Sequence, residues 1–380
     1  PIYTTAFTAA VLRSKAAGRG TETPGPVIEV APTAAMQLGP FNVQWLPITH
    51  STPDTCALHI TTPAGSVLHT ADWKLDAAPV VGPAFDAAPY QALGRAGVDA
   101  VVCDSTNAPS PGFTPTEAEV AKGLAELIYG CSGRVVVACF ASSIARLQTV
   151  ARIAGDTGRY FGLMGRSLHT MAGCARSVGL LDQAFAPINS AHLGYLPREE
   201  VLVLATGSQG EPGAALHRLA GDSHPHLSLE QGDTVIFSAR TIPGNEESVQ
   251  RLQAAFQARG IAVVHADAHP EVIHASGHPC AGELDAMYRW LAPPVAVPVH
   301  GEPRHMAANA AIARAAGVQL PLTGMNGDLF HLAPEPGIRR RAASVGRLEL
   351  ATDGSLCLLY TSDAADDRRG GEMAGVGGAL

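Results

Sequence analysis

The sequence predicts an α/β fold in which one α/β unit interrupts a second domain built on a sheet. From about Thr116 to His265, predicted helices and strands alternate. Strands dominate from Val27 to Thr70, and another short buried strand is expected at Val295–Val299. Repeated alternation implies a parallel or mixed sheet with helices on both faces, so we expect one such sheet in the middle of the chain. The strands on either side of it are then two segments of one sheet domain.

The first part of the chain is expected to start with a helix and to continue as strands. The helix spans Thr4 to Ala17, and a loop rich in Gly, Pro and Thr follows at 19–26. Turn signals such as Thr62-Pro-Ala-Gly65 separate the strand candidates. The strands are expected at Val27–Val30, Phe41–Ile48, Cys56–Thr61, Ser66–Thr70 and Ala100–Cys103.

The middle of the chain carries the pattern of the α/β unit. Thr116 is placed to cap its first helix, and Asn245 to cap a later one. The helices are expected at Glu117–Tyr129, Ser142–Ala154, Glu246–Ala258 and, after the unit, Glu283–Leu291. The strands are expected at Arg134–Cys139, Tyr160–Met164, Val201–Ala205, Asp233–Phe237 and Ile261–His265.

The composition describes a soluble globular protein with a sizeable core, since 46% of the 380 residues are hydrophobic and 16% are charged. That length has room for two domains. The net charge of −8 argues against indiscriminate nucleic-acid binding but allows a local basic groove. The seven cysteines form no CxxC pair, which favours free thiols in a reducing cytoplasm. Without a visible signal peptide or a membrane-spanning apolar run, no membrane partner is expected.

Two histidines in the last third of the chain lie next to glycines. His278 closes the run His274-Ala-Ser-Gly-His278 just before an expected helix, and His300 follows the strand at Val295–Val299. Pro298 must lie at the end of that strand or at a sheet edge, because proline cannot donate to a ladder. Functional residues gather at such strand ends in α/β proteins. The alternative is that both are surface-turn histidines.

Three further polar residues follow predicted strands: His50, Asp72 and Asp104. Histidine nitrogens and carboxylate oxygens are ligands for a metal such as Zn²⁺, and a carboxylate can bridge two such ions. Two bridged ions can hold a hydroxide for in-line attack at phosphorus, with Asp104 and His278 orienting ligands or transferring protons. The residues are scattered along the chain and match no local metal motif. Spacing alone therefore leaves structural turn residues as the alternative.

A series of short motifs is spread in order from residue 1 to about 354. They are Thr49-His-Ser-Thr-Pro-Asp54, His69-Thr-Ala-Asp72-Trp-Lys, Asp104-Ser-Thr-Asn-Ala, Pro-Gly-Phe-Thr-Pro-Thr-Glu117, Phe140-Ala-Ser-Ser-Ile144, Gly165-Arg-Ser167, Ala205-Thr-Gly-Ser-Gln-Gly-Glu-Pro212, Ile242-Pro-Gly-Asn-Glu246, His274-Ala-Ser-Gly-His278 and Pro298-Val-His-Gly-Glu302. Together they resemble the ribonuclease J family, in the β-CASP branch of the metallo-β-lactamase fold.

The resemblance implies a metallo-β-lactamase αββα core, here incomplete, with an inserted β-CASP α/β domain. Residues 1–115 and 267–334 are then two parts of the core, 116–266 the β-CASP domain, and 335–356 the start of a linker. Within 357–380, the run from Cys357 to Asp367 resembles the in-frame translation of a sequencing-library adapter. We expect this last segment to be an artefact and disordered.

The resemblance also implies a role for each candidate residue. His50, Asp72 and His300 match metal-ligand positions for two Zn²⁺ ions, with Asp72 bridging them. Asp104 and His278 match two further motif positions, and His278 is expected to donate a proton to the leaving oxygen.

Two loops match the RNA phosphate-binding elements of the family. They are the turn of Phe140, Ala141, Ser142 and Ser143 and the loop of His274, Ala275, Ser276, Gly277 and His278. Ser276 and Gly277 offer hydroxyl and backbone N–H donors to a phosphate oxygen. The segment 205–212 is either another phosphate-binding turn or an ordinary strand-to-helix turn.

One departure from the family pattern is large, since its principal metal motif, His-x-His-x-Asp-His, is absent from the 380 residues. In the family this motif lies shortly upstream of the segment that matches Pro1. We therefore expect a fragment truncated at its N-terminus, which also lacks the family's C-terminal domain. Each metal then keeps two ligands, so the fragment is expected to hold zinc poorly and to be inactive.

The predicted function is that of a zinc-dependent RNA hydrolase that cuts RNA internally and trims it from a 5′-monophosphate end. At full length it is expected to be a cytoplasmic homodimer. The alternative is a non-catalytic β-CASP homologue that binds RNA or a protein partner, and the upstream sequence would separate the two. DNA processing and mRNA 3′-end cleavage, the sister β-CASP activities, are a third alternative. The runs at 208–212 and 242–246 favour ribonuclease J over them.

Overall fold

The computed structural model describes residues 1–350 and 356–360, with side chains up to residue 346. The chain begins with strand β1 (Ile2–Thr4), helix α1 (Ala6–Gly18) and strand β2 (Val27–Glu29). β1 and β2 pair in parallel. The predicted N-terminal helix is confirmed. Among the residues described, no helix combines the length and the apolar character that a membrane crossing requires.

The next elements belong to one sheet and the helix that covers it. They are β3 (Ala35–Leu38), β4 (Phe41–Pro47), β5 (Cys56–Thr62), β6 (Gly65–His69), α2 (Ala88–Ala96) and β7 (Ala100–Asp104). The strands expected at β4, β5, β6 and β7 are confirmed. β3 and α2 are not among the predicted elements.

The middle of the chain forms the alternating α/β unit. Its elements are α3 (Glu117–Tyr129), β8 (Val135–Ala138), α4 (Ile144–Thr157), β9 (Tyr160–Met164), α5 (Arg166–Ser177), β10 (Val201–Ala205), α6 (Ala215–Ala220), β11 (Thr234–Phe237), α7 (Glu246–Ala258) and β12 (Ala262–His265). Short 3₁₀ helices lie at Ser190–Tyr195, Arg198–Glu200 and Ala266–Ala268. The five predicted strands and three predicted helices of this region are confirmed.

The chain then returns to the first sheet, and two antiparallel strand pairs follow within the described residues. The elements are α8 (Ala281–Leu291), β13 (Val295–Val299), α9 (Pro303–Ala315), β14 (Leu320–Pro321), β15 (Leu329–His331), β16 (Gly337–Arg339), β17 (Gly346–Leu350) and β18 (Leu356–Tyr360). The backbone of β18, which includes 357–360 of the segment expected to be a disordered artefact, pairs antiparallel with β17. The expectation for that segment stays a prediction. The remainder of that predicted segment, 361–380, lies outside the described residues.

The larger sheet has seven strands in the order β14-β13-β7-β6-β5-β4-β3. Neighbours from β3 to β6 are antiparallel, whereas β6, β7, β13 and β14 run parallel. Strands from both sides of the α/β unit therefore share one sheet, which confirms the predicted fold class. The domain boundaries within it stay a prediction.

Pro298 occupies a position in β13 where its missing N–H costs no ladder bond. The Leu322 N–H donates to the Ala296 carbonyl, so alternate residues of β13 face β14. β14 pairs only with Val295 and Ala296 and ends before it reaches Pro298. On this side of Pro298, β13 has no neighbouring strand among the described residues, which confirms the expectation that Pro298 lies at an edge.

The smaller sheet has five parallel strands in the order β12-β11-β8-β10-β9. The chain runs from β8 to β9 and β10 on one side and then crosses to β11 and β12 on the other. Ligands of open α/β sheets bind outside the carboxyl ends of the strands where the order reverses, here beside β8 and β11. The Phe140 turn follows β8 and therefore lies at this place.

Buried apolar side chains cover both faces of the smaller sheet. Others pack the helices α2, α8 and α9 against the larger sheet. Val135 and Val137 face one cluster and Val136 the other, as expected for a strand buried on both sides. Leu284 and Tyr288 of α8 pack with Leu68 and Val101 of the larger sheet. This packing fixes the start of α8, and the loop before it, against the strand ends.

The two predicted helix caps differ in outcome. The Thr116 side chain accepts from the Glu119 N–H in a capping box, so this cap is confirmed. The Asn245 cap is wrong, because its side chain makes no capping bond. Its φ and ψ of −103° and 2° depart from the extended conformation that caps require.

Candidate metal centre and phosphate-binding cavity

Five predicted site residues meet at one edge of the larger sheet. His50 follows β4, Asp72 follows β6, Asp104 ends β7 and His300 follows β13. β4 runs in the same direction as β6, β7 and β13, because it is antiparallel to β5, which is antiparallel to β6. The four strands therefore end at the same edge. His278, in the loop before α8, completes the group.

Three of these residues are close enough to hold one metal ion. The candidate ligand atoms of Asp72, His278 and His300 all lie within 4.8 Å of one another. His300 Nε2 is 3.5 Å from Asp72 Oδ2. The ring of His50 lies 5.2 Å from that of His278, centre to centre. One carboxylate and neutral imidazoles are a donor set that suits zinc.

His50 is held as a neutral imidazole whose Nε2, 3.4 Å from the Ser51 hydroxyl, is unprotonated. Its Nδ1 lies 2.7 Å from the Gly277 carbonyl, which can only accept, so Nδ1 carries the proton. Burial lowers the pKa of His50, and the neighbouring His278 lowers it further against that hydrogen bond. A neutral ring with Nε2 unprotonated is the form that a metal ligand needs.

His278 differs from His50 because it is paired with a buried carboxylate. Its Nδ1 lies 2.7 Å from Asp104 Oδ2. Burial lowers the pKa of His278, but the hydrogen bond and charge of Asp104 outweigh it and raise the pKa above its usual value. Burial raises the pKa of Asp104, but His278 and the hydrogen bonds from Thr106 outweigh it and lower that pKa below its usual value. His278 is thus suited to carry a proton beside Asp72 and His300.

Replacing Asp104 by asparagine is expected to lower the pKa of the His278 ring. The burial that disfavours imidazolium remains, whereas the carboxylate that favours it is gone. An NMR titration of the histidine ring signals measures the shift. Asp99→Asn, at the opposite end of β7, is the control and should leave His278 unchanged. A His278 pKa that stays the same or rises in Asp104→Asn would contradict the pairing.

Two side chains for which the sequence predicts no role brace the His274–His278 loop. Asn107 Nδ2 donates to Ser276 Oγ at 2.8 Å and to the His278 carbonyl at 3.2 Å. Thr114 Oγ1 donates to the same carbonyl at 2.9 Å. The polar run that directly follows the buried strand β7 was the available signal for Asn107. Both Asn107 and Thr114 lie in recognised motifs but had no assigned role.

Both predicted phosphate-binding loops line one cavity of about 480 Å³. Phe140, Ser142 and Ser143 line it together with all five residues of the His274–His278 loop. Ala141 instead packs against the core of the smaller sheet. Arg240, which follows β11, adds a cationic side chain to the lining. The cavity thus offers hydroxyls and positive charge, the groups that bind phosphate.

His274 has a different character from the phosphate ligand that the sequence suggests. Burial, assisted by the charge of Arg146, lowers the pKa of His274 to about 3. The ring is therefore neutral at physiological pH and brings no positive charge to a phosphate. Among the described residues, its buried Nδ1 has no hydrogen-bond partner.

The segment 205–212 acts as a structural turn. The Gln209 side chain accepts from the Ile242 N–H at 2.9 Å and donates to the Arg240 carbonyl at 3.1 Å. α6 starts only at Ala215, so its N–H groups do not directly follow β10. Gln209 instead supports the 240–242 loop that lines the cavity.

Two family models match the chain in the region of this site. The model "Ribonuclease J, beta-CASP domain" matches residues 132–255. The model "Zn-dependent metallo-hydrolase RNA specificity domain" matches residues 264–320, which include His274, His278 and His300.

Curated proteins named ribonuclease J are similar to nearly the whole chain. One from Sinorhizobium meliloti is 37% identical over 375 residues, which cover 99% of this chain and 66% of the relative. One from Mycolicibacterium smegmatis is 41% identical over 372 residues, which cover 96% of this chain and 64% of the relative. The chain therefore spans less than two thirds of the length of these relatives.

A solved structure has the same fold at low sequence identity. It is the crystal structure of a protein of unknown function from Enterococcus faecalis, with a TM-score of 0.60 at 16% identity. The match covers 89% of this chain and 76% of that protein.

Proposed function

The chain belongs to the ribonuclease J family, and on this premise we propose that it carries zinc-ligating and RNA-phosphate-binding residues of a ribonuclease. The observation that carries the proposal is the meeting of Asp72, His278 and His300 within 4.8 Å. A cavity with hydroxyl and cationic groups opens beside them. The substrate class is RNA, cut internally and from a 5′-monophosphate end.

We assign His50, Asp72 and His300 as the residues that would hold zinc. When bound, zinc supplies Lewis-acid activation of water and stabilises negative charge at the phosphorus. The residues fit this task, because His50 is held neutral by Gly277 and Asp72 brings the negative charge that a divalent cation needs. His278 lies among these residues, but a protonated imidazole has no lone pair for a metal ion, so we assign it a different role.

We assign His278 the transfer of a proton to the leaving oxygen. Asp104 holds the ring by Nδ1 and favours its protonated form. After the proton has left, the Asp104 carboxylate favours its replacement from solvent. Asp104 therefore acts through His278 as a positioning residue.

A second candidate function is RNA binding without catalysis. It applies to these 380 residues, in which no His-x-His-x-Asp-His run adds further zinc ligands. With two protein ligands per ion, the chain would hold zinc weakly. Homodimerisation and a cytoplasmic location stay predictions.

We expect the 380-residue chain to bind a 5′-phosphorylated RNA oligonucleotide without hydrolysing it. The phosphate-binding residues are all present, whereas the zinc ligands are too few for a stable pair of ions. Fluorescence anisotropy measures binding, and gel analysis of labelled RNA with added zinc measures cleavage. The His278→Ala variant is the control for contaminating nucleases.

Two outcomes of this experiment would change the proposal. Zinc-dependent cleavage that disappears in His278→Ala would contradict the expected inactivity and assign full catalysis to the chain itself. Failure to bind the RNA, with or without zinc, would overturn the proposed function.

A further inference from the structure

A chain of buried charges runs from the segment after β6 to helices α3 and α4, and its last member lines the cavity. Lys74, Asp76, Glu117 and Arg146 are each only 1% to 3% exposed. Lys74 Nζ lies 2.9 Å from Asp76 Oδ2 and 3.4 Å from Glu117 Oε1. Arg146 Nη2 lies 3.2 Å from Glu117 Oε2. These four residues, here called the charge chain, contain two cations and two anions and are neutral overall.

One end of the charge chain fixes the segments that carry two proposed zinc ligands. The Lys74 N–H donates to the Thr49 carbonyl at 2.8 Å, and Thr49 Oγ1 donates to the Lys74 carbonyl at 2.7 Å. The Asp76 N–H donates to the same hydroxyl at 2.9 Å. Thr49 directly precedes His50, and Lys74 is two residues after Asp72. The position of either ligand is therefore tied to Lys74 and Asp76.

The other end fixes the start of the phosphate-binding loop. Arg146 Nη1 donates to the Ser238 carbonyl at 3.1 Å and to the Ile273 carbonyl at 3.4 Å, and it also contacts the Ser238 hydroxyl. That hydroxyl donates to the Ile273 carbonyl at 2.6 Å. Ile273 directly precedes His274. The loop that reaches His278 therefore begins from a point set by Arg146.

Glu117 is the residue on which the two ends depend. It is the first residue of α3, and its two carboxylate oxygens contact Lys74 and Arg146 separately. Burial raises the pKa of Glu117, but the charges of Arg146 and Lys74 outweigh it and hold the pKa below its usual value. An ionised Glu117 thus connects the zinc-ligand side to the phosphate side.

Stability alone is a weak reason for such an arrangement. The desolvation of buried ions offsets much of their attraction, and apolar residues of similar volume often stabilise a core as well or better. A second buried pair, Arg134 with Asp233, gives a comparison within the same domain. It lies at the amino-terminal ends of β8 and β11, on the edge opposite the cavity, and joins strands of one sheet only.

We propose that Glu117 is a positioning residue that couples the zinc ligands to the phosphate-binding loop. The inference rests on the proposed function, because it takes zinc and an RNA phosphate as the two ligands. Zinc bound near Asp72 attracts the phosphate, and this attraction depends on the distance between the two sites. If Glu117 sets that distance, its replacement should reduce the effect of zinc on RNA affinity. That reduction should be larger than any weakening of the binding of zinc alone or of RNA alone.

The test compares the affinity of a 5′-phosphorylated RNA tetranucleotide with and without zinc in the wild type and in Glu117→Gln. In the wild type we expect zinc to raise that affinity about tenfold or more. In Glu117→Gln we expect zinc to raise the tetranucleotide affinity by no more than about twofold. The affinities for zinc alone and for the tetranucleotide alone should each stay within about threefold of the wild-type values. Arg134→Met, the matched buried arginine, should keep the full coupling.

A second variant keeps the charge of the buried group balanced. Lys74→Met with Glu117→Gln leaves Asp76 and Arg146 as one anion and one cation, and it should lose the coupling in the same way. Coupling that survives in folded Glu117→Gln overturns this inference and leaves the proposed function standing. If both variants unfold while Arg134→Met folds, the role is structural and the inference is also overturned. A wild type that binds neither zinc nor tetranucleotide overturns the proposed function and this inference with it.

Discussion

Replacing Asp72 by asparagine is expected to lower the zinc affinity of the chain by more than about 100-fold. Outer-shell partners of a metal already contribute about 10–100-fold, and Asp72 is the one carboxylate among the three assigned zinc ligands, His50, Asp72 and His300. Asparagine preserves the size of the side chain but removes its charge, so two imidazoles must hold the cation without a counter-charge. Competition against a zinc-chelating dye measures the change.

A matched acidic residue separates this effect from a general loss of negative charge. Asp285 lies on α8 with its side chain 38% exposed and paired to Arg289, away from the ligand group. Asp285→Asn should bind zinc as the wild type does. Wild-type affinity in a folded Asp72→Asn protein would remove Asp72 from the ligand set and leave the histidines without their proposed partner.

The elements that the sequence predicts best are those whose own pattern decides them. Glu117–Tyr129 has a capping box at Thr116 and an apolar face, and the structure gives it the predicted bounds. Tyr160–Met164 and Val201–Ala205 are continuous apolar runs, as expected for parallel strands that are buried on both faces. Such segments need little help from their neighbours to be recognised.

The missed elements depend on pairing or packing that no local pattern reveals. β3 is a short strand that forms only because Ala35–Leu38 pairs with Phe41–Gln44 across a turn at Gly39. α2 has a single buried residue, Tyr90, whose hydroxyl donates to the Pro47 carbonyl at 3.0 Å. β3 is therefore fixed by its pairing with β4, and α2 by its contact with the end of β4.

For the candidate site, too, the sequence predicts the types of the residues but not their arrangement. The motifs single out His50, Asp72, His278 and His300 by type and neighbours. The meeting of His50, Asp72 and His300 depends on β4, β6 and β13 ending at one edge, which is a property of sheet order. The neutral state of His274 could not be predicted either, because it follows from burial near Arg146.

Loop position and metal ligation are linked most directly at Gly277, which contacts His50 closely. A Cβ atom added to Gly277 would lie 2.4 Å from His50 Cε1, 2.6 Å from His50 Nδ1 and 2.8 Å from Ser51 Oγ. Real Cβ atoms essentially never approach other atoms this closely, so the imidazole or the loop must move. Either movement breaks the bond from His50 Nδ1 to the Gly277 carbonyl that fixes the ring.

Gly277→Ala is therefore expected to lower zinc affinity by about 10–100-fold, the loss typical of an outer-shell partner that orients a ligating histidine. Overpacking of this contact should also destabilise the fold by about 1–3 kcal/mol. Zinc competition and denaturant unfolding measure the two effects. Gly173→Ala in α5 is the control, because its Cβ would meet no atom within 4 Å. It should raise stability by about 1 kcal/mol through helix propensity and leave zinc affinity unchanged. Equal zinc affinity in folded Gly277→Ala and Gly173→Ala would mean that the contact between His50 and the phosphate-binding loop does not orient a metal ligand.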